Sequence, residues 1–242
     1  MKKKYGLIGY PLGHSFSPGY FKEKFKNEGI RNAEYKPYPL KSLQEFNGLI
    51  DKGLNGLNVT IPYKESIIPY LDELDEVAAA IGAVNTIYFQ EGKLYGYNTD
   101  AYGFEQSVLQ LLQNTPVRSA LVLGSGGSSK AVIWVLNHLG INARIISRQT
   151  HHLTYDELDS EFISDHRLIV NTTPLGMYPD IDAFPPIPYE GIGRQHFCFD
   201  LIYNPEKTIF LQLSERRGAR ISNGLNMLKL QANKSWEIWN QM

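Results

Sequence analysis

The stretch SALVLGSGGSSKAVIWVL, Ser119 to Leu136, decides the fold. Ser119 to Leu123 is an apolar run of strand length, and the loop 124 to 127 follows it with Gly124, Gly126 and Gly127. The chain then takes helical spacing to about Leu139. Glycines between a strand and a helix allow a tight turn and let backbone amides approach a pyrophosphate, while the helix N-terminus adds N–H groups and a favourable dipole. The third glycine of the G-x-G-x-x-G pattern is Ser129 here, so a plain strand-to-helix turn is the competing reading.

The next strand, Ala143 to Ser147, ends in IISRQT. In proteins that bind NAD, an acid about twenty residues beyond the glycines accepts the ribose 2′-hydroxyl. No acid stands here; Ser147 and Arg148 occupy the position. A carboxylate would repel a 2′-phosphate, whereas an arginine pairs with one, so NADP is favoured. The alternative is that Arg148 is a solvated surface residue.

Working outward, strands alternate with helical stretches. Strands are expected at Tyr5–Gly9, Ala33–Pro39, Gly56–Thr60, Leu168–Asn171 and Phe197–Leu201, with a hairpin of Val84–Phe89 and Lys93–Tyr97 turning at Glu91-Gly92. Helices are expected at Pro18–Glu28 behind a Ser17 cap, at Ser42–Lys52 with a Ser42/Glu45 capping box, at Pro62–Tyr70 and at Glu73–Ile81. Further helices are expected at Thr99–Gln113, Tyr155–Ile163, Glu206–Arg217 and Gly224–Trp239. This alternation implies an α/β protein built on mostly parallel sheet. No internal repeat or low-complexity segment appears.

Composition narrows the function. With 24 basic and 25 acidic residues in 242, the chain lacks the cationic excess that neutralises a phosphate backbone, so no nucleic-acid partner is expected. The single cysteine, Cys198, cannot form an internal disulfide and reads as a buried strand residue in HFCFD. No Cys/His cluster has metal-ligand spacing. The apolar run after the leading lysines is too short for a signal peptide, and none is long enough to cross a bilayer. A cytoplasmic location is expected, so the N-x-T triplets at Asn58 and Asn171 are not read as sugar acceptors.

Four segments put polar side chains where turns expose them. In GHSFSP, Ser15 and Ser17 precede a helix N-terminus, a place suited to a carboxylate or simply to a cap. In NVTIPYKE, Asn58 and Thr60 end a strand and Lys64 falls in the first turn of an expected helix, where the positive helix end should depress its pKa. That would suit a general acid or base; the alternative is a surface lysine. GAVNT carries Asn85, and GYNTDAYG carries Asp100 at a helix start, where capping is the simpler reading.

Taken in order, HSFSP, NVTIPYK, GAVNT, NTD, GSGGSSK, NTTPLGM, FDLIY and NGLNMLKLQ resemble the shikimate dehydrogenase family over nearly the whole chain. The resemblance implies two domains separated by a deep cleft. Residues 1–100 plus 224–242 would form an N-terminal α/β substrate domain, and 101–223 a Rossmann-like NADP-binding domain. It implies Lys64 and Asp100 as the catalytic pair for a reversible, NADPH-dependent reduction of 3-dehydroshikimate to shikimate. Ser15 and Ser17 would bind the substrate carboxylate with help from Tyr203, and Asn58, Thr60, Asn85 and Gln231 would read ring hydroxyls. Gly124, Gly126, Gly127 and Ser128 would take the pyrophosphate, and Ser147 and Arg148 the 2′-phosphate. Asn171, Thr172, Leu201, Gly224 and Met227 would line the rest of the cofactor path.

The chain departs from that pattern after Arg148. Gln149, Thr150, His151 and His152 stand where many relatives carry a second base, which leaves NAD open as a cofactor. A quinate or shikimate dehydrogenase using NAD is the nearest rival, and a non-catalytic nucleotide-binding regulator of the same fold is the rival from another class. The expected partner is the small-molecule substrate, in a monomer or homodimer.

Overall fold

The computed structural model describes residues 2–13, 15–149 and 151–240. His14 of HSFSP and Thr150 lie outside the described residues. The chain forms two compact units, one of Met1–Tyr102 with Lys229–Met242 and one of Gly103–Leu228.

The first unit opens with strand β1 (Lys3–Gly9), helix α1 (Phe16–Asn27) and strand β2 (Ala33–Pro39), which pairs parallel with β1. Helix α2 (Asn47–Ile50) follows a 3-10 turn, and strand β3 (Gly56–Val59) lies on the other side of β1. Strand β4 (Glu73–Leu74), helix α3 (Glu76–Ile81), strands β5 (Thr86–Gln90) and β6 (Lys93–Tyr97), and the start of helix α4 (Thr99–Leu112) complete this half of the chain. The sheet order is β2-β1-β3-β5-β6-β4, and β5 runs antiparallel to both its neighbours. Side chains three apart on a strand point to opposite faces. Ile8 accordingly joins one core with Phe46, Leu57, Ile67 and Ile87, while Tyr5 joins another with Phe21, Phe25, Ile238 and Trp239.

The second unit is a five-stranded, wholly parallel sheet. Strand β7 (Ser119–Leu123), helix α5 (Gly127–His138) and strand β8 (Asn142–Ile146) are followed by helix α6 (Ser160–Ser164) and strands β9 (Leu168–Asn171) and β10 (Phe197–Asp200). Helix α7 (Ile209–Arg216), strand β11 (Arg220–Ser222) and helix α8 (Leu225–Asn240) end the chain. The order β11-β10-β9-β7-β8 puts a topological switch point between β7 and β9, the place where parallel α/β sheets bind ligands. The unit boundary falls within helices α4 and α8.

Several elements differ from the sequence expectation. No α-helix forms over Pro62–Tyr70; turns lead to a 3-10 turn at Ile68–Tyr70. Pro69 lacks an N–H and its ring clashes with the carbonyl four residues back, which forbids a continuous helix there. The helix dipole assigned to Lys64 is therefore absent. The cap of α1 is Ser15, and Ser17 sits inside the first turn. Ser42 and Glu45 do form a capping box, but on a 3-10 turn, Leu43–Phe46. The helix expected over Glu73–Ile81 begins as strand β4, because Asp75 restarts the chain as a cap whose Oδ1 accepts from the Ala78 amide at 2.9 Å. Asp159 likewise caps α6, splitting Tyr155–Ile163 into a 3-10 turn and a short helix.

Candidate active site

The first unit brings four polar segments into one buried system. Lys64 follows β3, and its own carbonyl accepts from the Val84 amide at 2.7 Å, which fixes it beside the start of β5. Its Nζ lies 2.6 Å from Asp100 Oδ2, with the two side chains 15% and 10% exposed. Such a pair loses most of its water, so each charge depends on the other. The cap of α4 is supplied elsewhere: Asn98 Oδ1 accepts from the Ala101 amide at 3.2 Å. Asp100 is thus spared from capping and turned to the lysine.

Asn85 holds the other carboxylate oxygen, its Nδ2 lying 3.0 Å from Asp100 Oδ1. The Thr99 backbone N–H meets the opposite end of the carboxamide at 2.7 Å. A backbone N–H can only donate, so that end is Oδ1, and the amino end must face Asp100. Gln231 Oε1 accepts from the same amino group at 3.3 Å. Asn58 donates to Ser235 at 2.9 Å and accepts from the Tyr35 hydroxyl at 2.9 Å. Burial pushes the Tyr35 phenol far up, against a hydrogen bond from Ser17. Thr60, partly exposed, turns the chain at the end of β3, where its amide meets the Ile8 carbonyl at 2.9 Å. Ser15, partly exposed, makes no side-chain capping bond to α1.

In the second unit the glycine loop lies at the switch point. Gly124 has φ +106°, a conformation side chains rarely adopt, and a Cβ there would stand 2.9 Å from Thr172 Oγ1. Thr172 Oγ1 in turn donates to the Leu123 carbonyl at 2.7 Å. Gly126 caps α5 with open space where a side chain would be, and Gly127 and Ser128 begin the helix. Ser129 is buried and returns its hydroxyl to the Gly126 carbonyl at 2.6 Å, closing the turn that a third glycine would have left open. Ser147 Oγ is 2.9 Å from Ser125 Oγ, tying the end of β8 to this loop, and Arg148 beside it is exposed.

The remaining cofactor candidates separate by exposure. Asn171 is fully buried and spends its carboxamide internally, donating to Asp200 at 3.0 Å and accepting from the Thr173 amide and hydroxyl. It shapes the loop after β9. Gly224 packs against the Leu201 carbonyl so closely that a Cβ would lie 2.0 Å from it. Met227 is buried in the first turn of α8. Tyr203, expected at the substrate carboxylate and not among the cofactor residues, is half-buried, and burial raises its phenol.

Sequence reasoning missed Asp200, Tyr35, Thr86, Thr99 and Ser235. Asp200 is wholly buried at the end of β10, and burial pushes its carboxyl up to about 6. Thr86, Thr99 and Asp200 do stand inside the GAVNT, NTD and FDLIY stretches, so they were within reach of the sequence.

A family model, "Shikimate dehydrogenase substrate binding domain", matches residues 7–87. The shikimate dehydrogenase (NADP(+)) of Shouchella clausii is 39% identical over 259 residues, covering 99% of this chain and 93% of its own. The shikimate dehydrogenase structure from Aquifex aeolicus superposes with a TM-score of 0.89 at 35% identity, over 99% of this chain and 92% of that one. The Thermus thermophilus shikimate 5-dehydrogenase, solved with NADP(H) and shikimate, gives 0.86 at 30% identity, over 99% and 94%.

Proposed function

The chain belongs to the shikimate dehydrogenase family, and we propose that Lys64 and Asp100 are the pair with which it interconverts shikimate and 3-dehydroshikimate. It is an NADP-dependent oxidoreductase acting on a CH–OH group, a step of chorismate biosynthesis. The observation that carries the assignment of the pair is the 2.6 Å contact between Lys64 and Asp100, partly shielded from water.

Oxidising a secondary alcohol removes a proton from oxygen while hydride leaves carbon. Lys64 Nζ takes that proton, or returns it in the reductive direction. Asp100 holds the ammonium in place and offers an acceptor to the same hydroxyl. Asn85, by gripping the second carboxylate oxygen, fixes the plane in which that acceptor lies. Asn58, Thr60, Asn85 and Gln231 recognise the ring hydroxyls, and Ser15 and Ser17 the carboxylate. An unmatched buried hydroxyl costs about 1–3 kcal/mol, which is how such a set selects a polyol.

NADP supplies the hydride acceptor when bound. The second unit fits it: Gly124 turns the chain with its amide paired to the Ile146 carbonyl at 2.8 Å, Gly126, Gly127 and Ser128 put the start of α5 against the pyrophosphate, and no acid at the end of β8 opposes a 2′-phosphate on Ser147 and Arg148. Thr172, Leu201, Gly224 and Met227 line the path, with Asn171 as its support. We assign the unit of residues 1–102 with 229–242 to the substrate and that of 103–228, which carries Gly224 and Met227, to the dinucleotide. No helix among the described residues is long and apolar enough to cross a membrane, and we place the enzyme in the cytoplasm.

Initial rates with shikimate and with quinate, each with NADP and with NAD, test the assignment through nicotinamide absorbance. Shikimate with NADP is expected to give the highest kcat/KM. No turnover of shikimate with either cofactor would overturn it.

A further inference from the structure

A cluster of three hydroxyls is linked to the Lys64–Asp100 pair through Asn85, whose Nδ2 meets both Thr99 Oγ1 and Asp100 Oδ1 at 3.0 Å. Thr86, Thr99 and Ser235 are at most 2% exposed and come from β5, α4 and α8. Thr86 Oγ1 is 2.7 Å from Ser235 Oγ and 3.2 Å from Thr99 Oγ1, and Ser235 and Thr99 are 3.2 Å apart. Each hydroxyl has a single proton to give. Ser235 gives its own to the Gln231 carbonyl at 3.0 Å, one turn back on α8. Its oxygen is therefore an acceptor, and Thr86 must donate across the 2.7 Å contact. Asn58 Nδ2 donates to both Thr86 and Ser235, at 3.2 and 2.9 Å. With its proton spent on Ser235, Thr86 accepts from Thr99 at 3.2 Å, and Thr99 accepts from Asn85 Nδ2 at 3.0 Å.

Two donor chains therefore end on the Thr86–Ser235 pair, one from Tyr35 through Asn58, the other from Asn85 through Thr99, while the same Asn85 amino group also donates to Asp100. We propose that Thr86 and Ser235 are positioning residues: their paired hydroxyls hold Asn58 and Asn85 in register, and through Asn85 they set the orientation of the Asp100 carboxylate toward Lys64. This rests on the assignment of Lys64 and Asp100 as the catalytic pair. It also gives α8 a role beyond carrying Gln231, because residues 231 and 235 share one face of that helix. Neither hydroxyl is placed to meet substrate, so the effect falls on the chemical step more than on binding.

The test uses the full chain, four single variants and one double variant. Thr86→Val keeps the shape and removes the hydroxyl; Thr86→Ser keeps the hydroxyl; Ser235→Ala removes its partner; Lys64→Ala checks the underlying assignment. Rates are measured well below each variant's melting midpoint. The expected result is a fall in kcat of about tenfold for Thr86→Val and for Ser235→Ala, with KM for shikimate within about threefold of the parent. Thr86→Ser should recover the parent kcat to within about threefold, and the Thr86→Val/Ser235→Ala double variant should be no slower than the slower single one, since both break the same contact. If Thr86→Val does not fold, Ser235→Ala carries the comparison alone. A parent-like kcat in both hydroxyl-deleting variants, or a Thr86→Ser as slow as Thr86→Val, overturns the proposal. Turnover surviving in Lys64→Ala would instead bring down the assignment of the catalytic pair; an inactive Lys64→Ala beside parent-like hydroxyl variants would sink the positioning role alone.

Discussion

Asn171 Nδ2 lies 3.0 Å from Asp200 Oδ1, joining the ends of two adjacent strands through a wholly buried amide and carboxyl. Thr208 Oγ1 donates to Oδ2 at 2.6 Å and the Ile202 amide to Oδ1 at 3.0 Å. Despite these three donors, burial dominates and raises the carboxyl from 3.8 to about 6. The raised value means that the folded state binds the proton more tightly than the unfolded chain. The contribution to stability is full below about pH 4 and is lost as pH rises toward 6, by roughly 2–3 kcal/mol. Asp200→Asn removes the titration, so its stability relative to the parent should climb between pH 4 and 7. Denaturant melts of both proteins across that range check it, and a constant difference would contradict it.

Gly124→Ala should strike both stability and cofactor binding. The φ of +106° and the 2.9 Å approach to Thr172 leave a methyl no relaxed position. We expect a loss of about 1–3 kcal/mol in stability and at least about tenfold in NADP affinity, since the loop amides would shift from their aim. Thermal melts and a fluorescence titration with NADP read the two effects separately.

Arg148→Ala should weaken NADP and spare NAD. The guanidinium is exposed, so its pairing with a 2′-phosphate would be screened by salt. A charge-assisted contact of this kind is worth about 1.5–3 kcal/mol, or roughly ten- to hundredfold in Kd. Titrations with each dinucleotide in low and high salt check both the ratio and its salt dependence. Equal loss for NADP and NAD would show that Arg148 acts on the loop and not on the phosphate.

The order of strands and helices was legible because periodicity and the glycine loop are local signals. Ser119–Leu123 and Leu168–Asn171 fall where the apolar runs place them, and Ala33–Pro39 is a strand with the bounds expected. The helix expected over Pro62–Tyr70 failed because Pro69 outweighs helical spacing, and β11 escaped notice because three residues show no period. The site was legible only in part for the same physical reason. Lys64 and Asp100 stand in segments whose turns announce them. Thr86 and Ser235 are 149 residues apart, and although Thr86 closes the GAVNT segment, nothing local pairs it with a serine of α8. Asp200 reads from sequence as the end of a strand; only its burial sets it apart.

Steady-state turnover of Lys64→Ala, set beside its affinity for NADP, tests the central claim most directly. The lysine is half of a pair joined at 2.6 Å and belongs to the unit that lacks the glycine loop. Its removal should lower kcat by about 10²–10⁴-fold, the usual worth of a positioned proton donor, and leave the dissociation constant for NADP within about twofold. A variant that keeps more than about a tenth of the parent kcat would contradict the account.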